Sequence, residues 1–391
     1  MPHVLQVAEA TIGGVRRHLR DLLLGLADAG WQVSVACARR RDPGFAHDVD
    51  VFRARGLNVF DVPMVRRPAP WGDLAAVRRL GAVIRACRPD VIHAHSTKAG
   101  LIARLAARRG NLPVCYTPHG FAFGMQVPVP LAWVYREVER LAIPLTSRLI
   151  AVSRAEAAAA LDLGYAPEQV CQIPNGIPPP AVPPVDDAAR VFDVAFIGRF
   201  CRQKGSDLAV AALRRLAVCH PGLRLVAMGG GSRANARALA TVPGVTVLPF
   251  GEAAAVERVL TRSRVLAMPS RWEGMPYLLL EAMAAGTAVV ASGVGGVTEV
   301  VADGREALII PADDVDALVV GLIRLLDDDG LRRQLTAAAR TRVAAFSQRG
   351  MIEATLAAYA EALANPVHAP HAVKCFDNAP RSGHTDDVSI R

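Results

Sequence analysis

Closely spaced cysteines are missing from this chain. Seven are present, none in a Cys-x-x-Cys pair, and the nearest two, Cys201 and Cys219, lie 18 residues apart. That excludes a paired-cysteine zinc site or a disulfide frame and leaves thiols that act as small buried hydrophobes in a reducing compartment. Lysine is scarce too: Lys98, Lys204 and Lys374 are the full set, so positive charge rests on arginine. Aromatic residues make up 5%. No apolar run approaches the roughly 18 uninterrupted residues that cross a bilayer. Met1 to Ala8 reads as a strand rather than a basic leader with an apolar core. A cytosolic protein is therefore expected, or one that touches a membrane only at its surface.

What is present points to a large globular chain. Hydrophobic residues reach 52% and charged ones 21%, which excludes disorder for most of the length. At 391 residues the chain exceeds one ordinary core and predicts two domains. The net charge of +9 is uneven. Residues 1–180 hold 22 Lys and Arg against 14 Asp and Glu, whereas residues 181–364 hold 20 against 19. The first half is thus expected to face something anionic, unless the bias only reflects arginine-rich composition.

Both halves alternate short apolar runs with amphipathic stretches, the pattern of parallel α/β sheets. In the first, strands are predicted at 3–8, 32–37, 90–93, 113–117 and 148–152, with helices at 14–29, 74–87 and 97–109. Ser153 with Glu156 three residues on predicts a capping box opening another helix. Between Pro174 and Pro184 six prolines fall in eleven residues, followed by Asp186 and Asp187, a stiff linker. The second half restarts with strands at 193–197, 223–228, 245–248, 265–268 and 288–291, and closes with helices at 314–326, 330–345 and 348–363. The domains predicted are 1–173, a linker 174–190, then 191–363, with a disordered tail 364–391 whose His368, His371 and His384 read as solvated. Two Rossmann-like units of this kind leave a ligand cleft at the carboxyl ends of their strands.

Three strings carry chemistry. Gly13-Gly14 follow the first strand and open its helix, where backbone N–H groups can meet an anion or simply make a turn. The string is not Gly-x-Gly-x-x-Gly, and Arg39, Arg40 and Arg41 stand where a ribose-binding acid would follow the second strand. An NADP-dependent oxidoreductase is weakened by this but stays open. Next, Gly198-Arg199 with Lys204-Gly205 place two cations at a strand's carboxyl end and a helix start, a diphosphate clamp or a surface pair. The third runs from Glu273-Gly274-Met275-Pro276 to Glu281. Glu281 lies in the second turn of an apolar helix, where a carboxylate needs a partner such as a ligand hydroxyl or the backbone. Two acids at a cleft also fit hydrolase chemistry. His93-Ala94-His95 is expected to shape the cleft wall rather than bind metal.

With Tyr116-Thr117-Pro118-His119-Gly120, Ile173-Pro174-Asn175-Gly176-Ile177, Gly295-Gly296 and Glu299, these pieces appear in a specific order and spacing. Over residues 1–363 the chain resembles the family 4 glycosyltransferases of GT-B fold, retaining enzymes that use nucleotide sugars. The resemblance implies an α/β architecture of two Rossmann-like domains facing across a cleft, with C-terminal helices. It implies that Glu281 holds the ribose, Glu273 the sugar hydroxyls, and Arg199 and Lys204 the diphosphate. Backbone around Gly13, Gly14, Gly198, Gly274, Met275 and Pro276 would complete the donor pocket, with His119 beside the sugar. Catalysis would fall to His119, Arg199, Lys204 and Glu273 by front-face displacement, with no metal and no cofactor. Gly229-Gly230-Gly231-Ser232 departs from the family, which often has an acid between the glycines.

The partners so implied are a UDP- or GDP-type donor and a glycan or polyprenyl-diphosphate-linked acceptor, in surface or exopolysaccharide synthesis, without nucleic acid. Acceptors in such enzymes meet the N-terminal domain, here the basic one. Phe121, Phe123, Trp133 and Tyr135 cluster there beside Arg136 and Arg140, a mixture suited to a membrane interface or to a packed lid. Phe121, Trp133, Tyr135 and Arg136 are the acceptor-side candidates, at the inner face of the plasma membrane. A catalytically silent nucleotide-sugar-binding protein remains the alternative outside catalysis.

Overall fold

The computed structural model describes residues 1–39, 44–181, 189–251 and 253–365. Arg40, Arg41, Asp186, Asp187 and the histidines of the tail lie outside the described residues.

Two parallel sheets organise the chain. The first comprises β1 (His3–Ala8), β2 (Gln32–Cys37), β3 (Asn58–Asp61), β4 (Val91–His95), β5 (Val114–Thr117), β6 (Arg148–Ala151) and β7 (Val170–Gln172), in the order β3-β2-β1-β4-β5-β6-β7. The second comprises β8 (Phe192–Ile197), β9 (Leu225–Gly229), β10 (Val245–Pro249), β11 (Ser263–Met268), β12 (Ala288–Ser292) and β13 (Leu308–Ile310), in the order β10-β9-β8-β11-β12-β13. Every pairing is parallel. Helices cover both faces, so central strands such as β1 and β12 are buried at every position, which is why they read as apolar runs rather than alternations. Strand order reverses between β1 and β4 and between β8 and β11, the places where such sheets open a crevice.

Long, periodic elements match the sequence reading to within a few residues. The three-residue β7 and β13 lie at sheet edges and give too short a signal to read. Phe45–Ala54 and Val129–Ala142 are further helices. In the latter the prolines bracket rather than break: Pro128 caps it, Pro130 sits in its first turn where no N–H is needed, and Pro144 falls in the 3-10 turn that follows.

The chain crosses between the halves twice, and the crossings pair. Ile177 N–H donates to the Phe346 carbonyl (2.9 Å) and Gln348 N–H to the Ile177 carbonyl (2.9 Å). Gly176 lies so close to this second crossing that a Cβ there would collide with the Ser347 carbonyl. The last helix, Gln348–Ala364, then returns to the first sheet, where Met351, Ala358 and Tyr359 join Leu19, Leu23 and Val33 in one core.

Beneath that helix the first sheet buries polar side chains. Gln6, His93, His95 and Thr117, on β1, β4 and β5, are at most 1% exposed. Unpaired, each would be costly, so they satisfy one another. Gln6 Nε2 donates to Tyr359 Oη (2.8 Å), and Tyr359 Oη lies 2.6 Å from His93 Nδ1. His93 Nε2 is 2.8 Å from Thr117 Oγ1. His95 Nε2 is 2.7 Å from Gln6 Oε1, and His95 Nδ1 is 3.1 Å from His119 Nε2. Burial drives these rings well below the usual imidazole range.

A histidine held neutral in the native state binds its proton only after unfolding. As pH falls below 6.5 the unfolded chain takes up protons that the native chain refuses, so stability falls by roughly 1.4 kcal/mol per pH unit for each such ring. Glu156, pushed up to about 7 by burial, acts in the opposite sense: it favours the native state at low pH and loses that contribution as pH rises through 7. His93→Gln is therefore expected to flatten the decline in stability between pH 6.5 and 5 relative to wild type, as read from urea titrations at each pH. An unchanged slope would contradict a neutral His93.

Candidate functional site

A cavity of about 760 Å³ opens between the carboxyl ends of the two sheets, and both halves line it. That volume suits a small ligand of nucleotide-sugar size. Its walls are the segments that follow the central strands: residues 9–17 after β1, 96–98 after β4, 118–120 after β5, 197–204 after β8 and 273–281 after β11.

On the second half, Arg199 and Lys204 flank the loop after β8. Arg199 donates to Gln203 Oε1 (2.6 Å), and Gln203 in turn donates to the Trp272 carbonyl (3.2 Å). Lys204 Nζ meets Glu273 Oε1 at 2.5 Å, with the Glu273 side chain 7% exposed. Arg271 braces the loop from behind, binding Asp207, Asp313 (2.5 Å) and the Arg202 carbonyl, and the Asp207 and Asp313 carboxylates push its guanidinium further up. The two cations thus arrive already oriented. Gly295 and Gly296 run directly behind Glu273 and Gly274; a Cβ on either would strike those carbonyls. The pair of glycines in the sequence is there to let two backbones touch.

Glu281 sits in the second turn of the Tyr277–Ala284 helix, as predicted, with its partner in the other half of the molecule. Arg17 Nη1 lies 3.2 Å from Glu281 Oε1, while Arg17 Nε donates to Asp21 Oδ2 at 2.6 Å. Burial pushes the Glu281 carboxyl up and the Arg17 charge opposes it. Other bonds span the cleft beside this pair. Tyr277 Oη is 3.0 Å from His18 Nδ1, Asn175 Nδ2 donates to the Met275 carbonyl (2.8 Å), and Arg202 Nε donates to Gln126 Oε1 (3.0 Å). His18, which no sequence motif singled out, is buried at the centre and its ring is lowered to about 4 by desolvation.

His119 has a left-handed backbone (φ 53°), followed by Gly120 at φ 93°. A residue is held in that region by its surroundings. Here Gly120 N–H donates to Glu156 Oε1 (2.5 Å) and Val152 N–H to Glu156 Oε2 (2.7 Å). Ser153 does cap its helix, accepting from Glu156 N–H (3.1 Å), but the Glu156 carboxylate reaches the turn after β5 instead of completing a capping box. Glu299, from the second half, accepts from the N–H groups of Arg154 (2.6 Å) and Ala155 (2.9 Å), capping that same helix from across the cleft.

Of the residues expected on the donor side, Gly13, Gly14, His119, Gly198, Arg199, Lys204, Glu273, Gly274, Met275, Pro276 and Glu281 all line the cavity. The four residues expected on the acceptor side do not assemble. Tyr135 lines the cavity, whereas Phe121 is buried against Phe123. Trp133 is 63% exposed on the outer face, and Arg136 binds Asp162 (2.9 Å). In their place the first-half wall carries Arg16, Arg20, Arg66, Arg67, Ser96, Thr97 and Lys98. His93 and His95 lie under the cleft rather than on its wall. His18, His95 and His119 bring ring nitrogens within 4.8 Å of one another and are the histidine set able to ligate a metal among the described residues. Arg39 lines a separate depression with Asp61, away from the cleft. Gly229–Gly231 fold over Phe200, whose N–H donates to the Gly230 carbonyl (2.7 Å).

Comparison with known proteins agrees with this geometry. The model described as Glycosyltransferase Family 4 matches residues 12–179, and that described as Glycosyl transferases group 1 matches residues 188–342. The chain is 33% identical to a D-inositol 3-phosphate glycosyltransferase of Acidothermus cellulolyticus, over 87% of each chain. It is 27% identical to the Escherichia coli UDP-Gal:alpha-D-GlcNAc-diphosphoundecaprenol alpha-1,3-galactosyltransferase, over 70% of this chain and 76% of that one. Anabaena HepE, solved in complex with UDP-glucose, superposes with a TM-score of 0.75 at 19% identity, covering 92% of this chain and all of that one. Two facing parallel sheets, a cleft between their carboxyl edges and this level of identity along the chain lead to one assignment: the protein is a GT-B glycosyltransferase of the family 4, group 1 type.

Proposed function

We propose that the protein transfers a hexose-type sugar from a UDP-sugar, with retention, to a phosphate- or diphosphate-bearing acceptor, in the assembly of a surface polysaccharide. The observation that carries this reading is the placement of Arg199 and Lys204 opposite the N-terminus of the Gly13–Asp28 helix across one cavity. Fixed cations and a helix N-terminus that no side chain caps suit a diphosphate. Glu281 then meets the ribose, displacing Arg17, and Glu273 with His119 meets the sugar. UDP is favoured over GDP because the Escherichia coli relative is named for a UDP-Gal donor and the Anabaena protein is solved with UDP-glucose.

The chemistry follows from charge. Cleaving the bond between the anomeric carbon and the diphosphate oxygen leaves negative charge on the diphosphate, and Arg199 and Lys204 stabilise it as it grows. The acceptor hydroxyl attacks the face that the diphosphate leaves, and its proton passes to the departing phosphate oxygen, so no protein base is consumed. Lys204 shares its charge with Glu273 at 2.5 Å, which holds the ammonium at the cleft. The oxidoreductase alternative loses its support, since Arg39 lies away from the cleft and the chain belongs to a transferase family.

For the acceptor, the Arg66, Arg67 and Lys98 wall suits phosphate. The named acceptors of two relatives, inositol 3-phosphate and a diphosphoundecaprenol-linked sugar, share that group. On the outer face of the Val129–Ala142 helix, Val129, Trp133 and Leu141 are 82%, 63% and 72% exposed, close in sequence to Arg136 and Arg140. Such a face suits an anionic bilayer carrying a lipid-linked acceptor. Among the described residues no helix is long and apolar enough to cross a membrane.

Replacing Arg199 and Lys204 together by Ala is expected to lower kcat by roughly 10²–10³-fold or more, measured as UDP release from the preferred UDP-sugar; an unaltered kcat would remove the clamp from the mechanism. Glu281→Ala is expected to weaken UDP binding by about 10- to 100-fold in calorimetry, the range for hydrogen bonds to a charged group. Equal affinity would place the ribose elsewhere. In flotation with vesicles containing phosphatidylglycerol, binding should fall with added salt and with Val129→Ser plus Trp133→Ser. Absence of any binding would remove the membrane from this picture.

A further inference from the structure

His119 reaches the cleft with one ring nitrogen already committed. Its Nε2 lies 3.1 Å from His95 Nδ1, and its ring stacks on His95 (centroids 5.4 Å apart, 22° between planes) and meets His18 edge-on at 4.6 Å. Its Nδ1 has no hydrogen-bond partner among the described residues, and the residue lines the cavity. Which nitrogen holds the proton therefore decides what the ring offers a ligand. A neutral imidazole is a donor at one nitrogen and an acceptor at the other.

The proton pattern can be followed from Gln6. With the Gln6 amide turned so that Oε1 faces His95 Nε2 (2.7 Å), an oxygen that only accepts requires His95 to carry its proton on Nε2. His95 Nδ1 is then a bare acceptor, and the proton between His95 and His119 belongs to His119 Nε2. That leaves His119 Nδ1 without a proton. On the other side, Gln6 Nε2 donates to Tyr359 Oη, which spends its own proton on His93 Nδ1, and His93 Nε2–H donates to Thr117 Oγ1. Turning this one amide by 180° reverses every donor and acceptor along the chain. The buried histidines thus have two self-consistent proton arrangements, and a residue that touches no ligand chooses between them.

We propose that Gln6, held by Tyr359 from the returning last helix, is a positioning residue of the transfer site: through His95 it keeps His119 in the Nε2–H form, so that Nδ1 accepts a hydrogen bond from a sugar hydroxyl. This rests on the cleft being the donor-sugar site; the proton assignment itself does not. The device is economical for a retaining transferase. An imidazole that cannot donate from its open nitrogen fixes the orientation of one hydroxyl without competing with Arg199 and Lys204 for the departing diphosphate. It also ties the sugar pocket to the last helix, the segment that joins the far end of the sequence to the first sheet.

The test uses the full chain with ring-¹⁵N histidine and long-range ¹H–¹⁵N correlation spectra without nucleotide, His119 being assigned by loss of its signals in His119→Asn. From pH 6.5 to 8 the wild type is expected to show a protonated Nε2 and a bare Nδ1 at His119. Gln6→Met, similar in volume and unable to hydrogen-bond at both ends, should shift both His119 nitrogens toward averaged values. Tyr359→Phe, which preserves packing, should do so to a smaller extent. With the UDP-sugar that the wild type turns over, Gln6→Met should lower kcat about tenfold, the effect of losing an orienting hydrogen bond behind a working imidazole, while UDP affinity stays within about twofold. A merely structural Gln6 would change melting temperature without moving the His119 shifts. A wild-type His119 protonated on Nδ1, or His119 shifts unaltered in both variants, would overturn the proposal. The expected shifts together with a wild type that binds no UDP would instead overturn the donor-site reading.

Discussion

Parallel strands end in unison, and this molecule depends on that fact. All strands of a sheet point the same way, so the loops and helix N-termini that follow them collect along one edge. Two such edges face each other here, held by the paired crossings at Ile177 and Ser347 and by bonds across the cleft at Arg17–Glu281, Asn175–Met275 and Glu299 with the helix that starts at Arg154. Every feature of the site is a consequence. The cations after β8, the acids after β11, the glycines after β1 and His119 after β5 converge because their strands do.

Convergence has a cost in buried polarity, and the protein meets it with closed hydrogen-bond sets rather than with solvent. Gln6, His93, His95, Thr117 and Tyr359 satisfy one another beneath the first sheet's edge. Arg104, fully buried, is bound by Glu139, the Gly100 carbonyl and Tyr165, which anchors the Val129–Ala142 helix so that its opposite face can stay apolar and exposed. Buried networks of this kind are rigid when complete. Beside them Glu156, buried and accepting from Gly120 N–H and Val152 N–H, holds the turn in which His119 keeps its left-handed backbone.

Legibility varied with the kind of signal. The place of Arg199, Lys204, Glu273 and Glu281 on the cavity wall was readable because each lies within a short string at a strand end or helix start. Arg17 and His18 were not: both sit in the second turn of an ordinary amphipathic helix, and their contacts are with partners 264 and 259 residues away. Glu156 looked like a local cap, yet its carboxylate goes to Gly120, a contact that spacing within one helix does not reveal. The aromatic cluster at 121–135 suggested one surface, but successive helix positions face different directions. Trp133 therefore points outward while Tyr135 lines the cleft.

By itself the sequence determined the two α/β halves and the strand ends and helix start at which Arg199, Lys204, Glu273 and Glu281 stand. Those follow from periodicity, breakers and strand-end motifs, all local properties of the chain. Tertiary structure alone decided that the last helix belongs to the first sheet, that Glu281 pairs with Arg17, and that four histidines from two neighbouring strands' ends and one helix meet. Such contacts join residues far apart along the chain, and no local spacing encodes which side chain fills the space beside another once two sheets close.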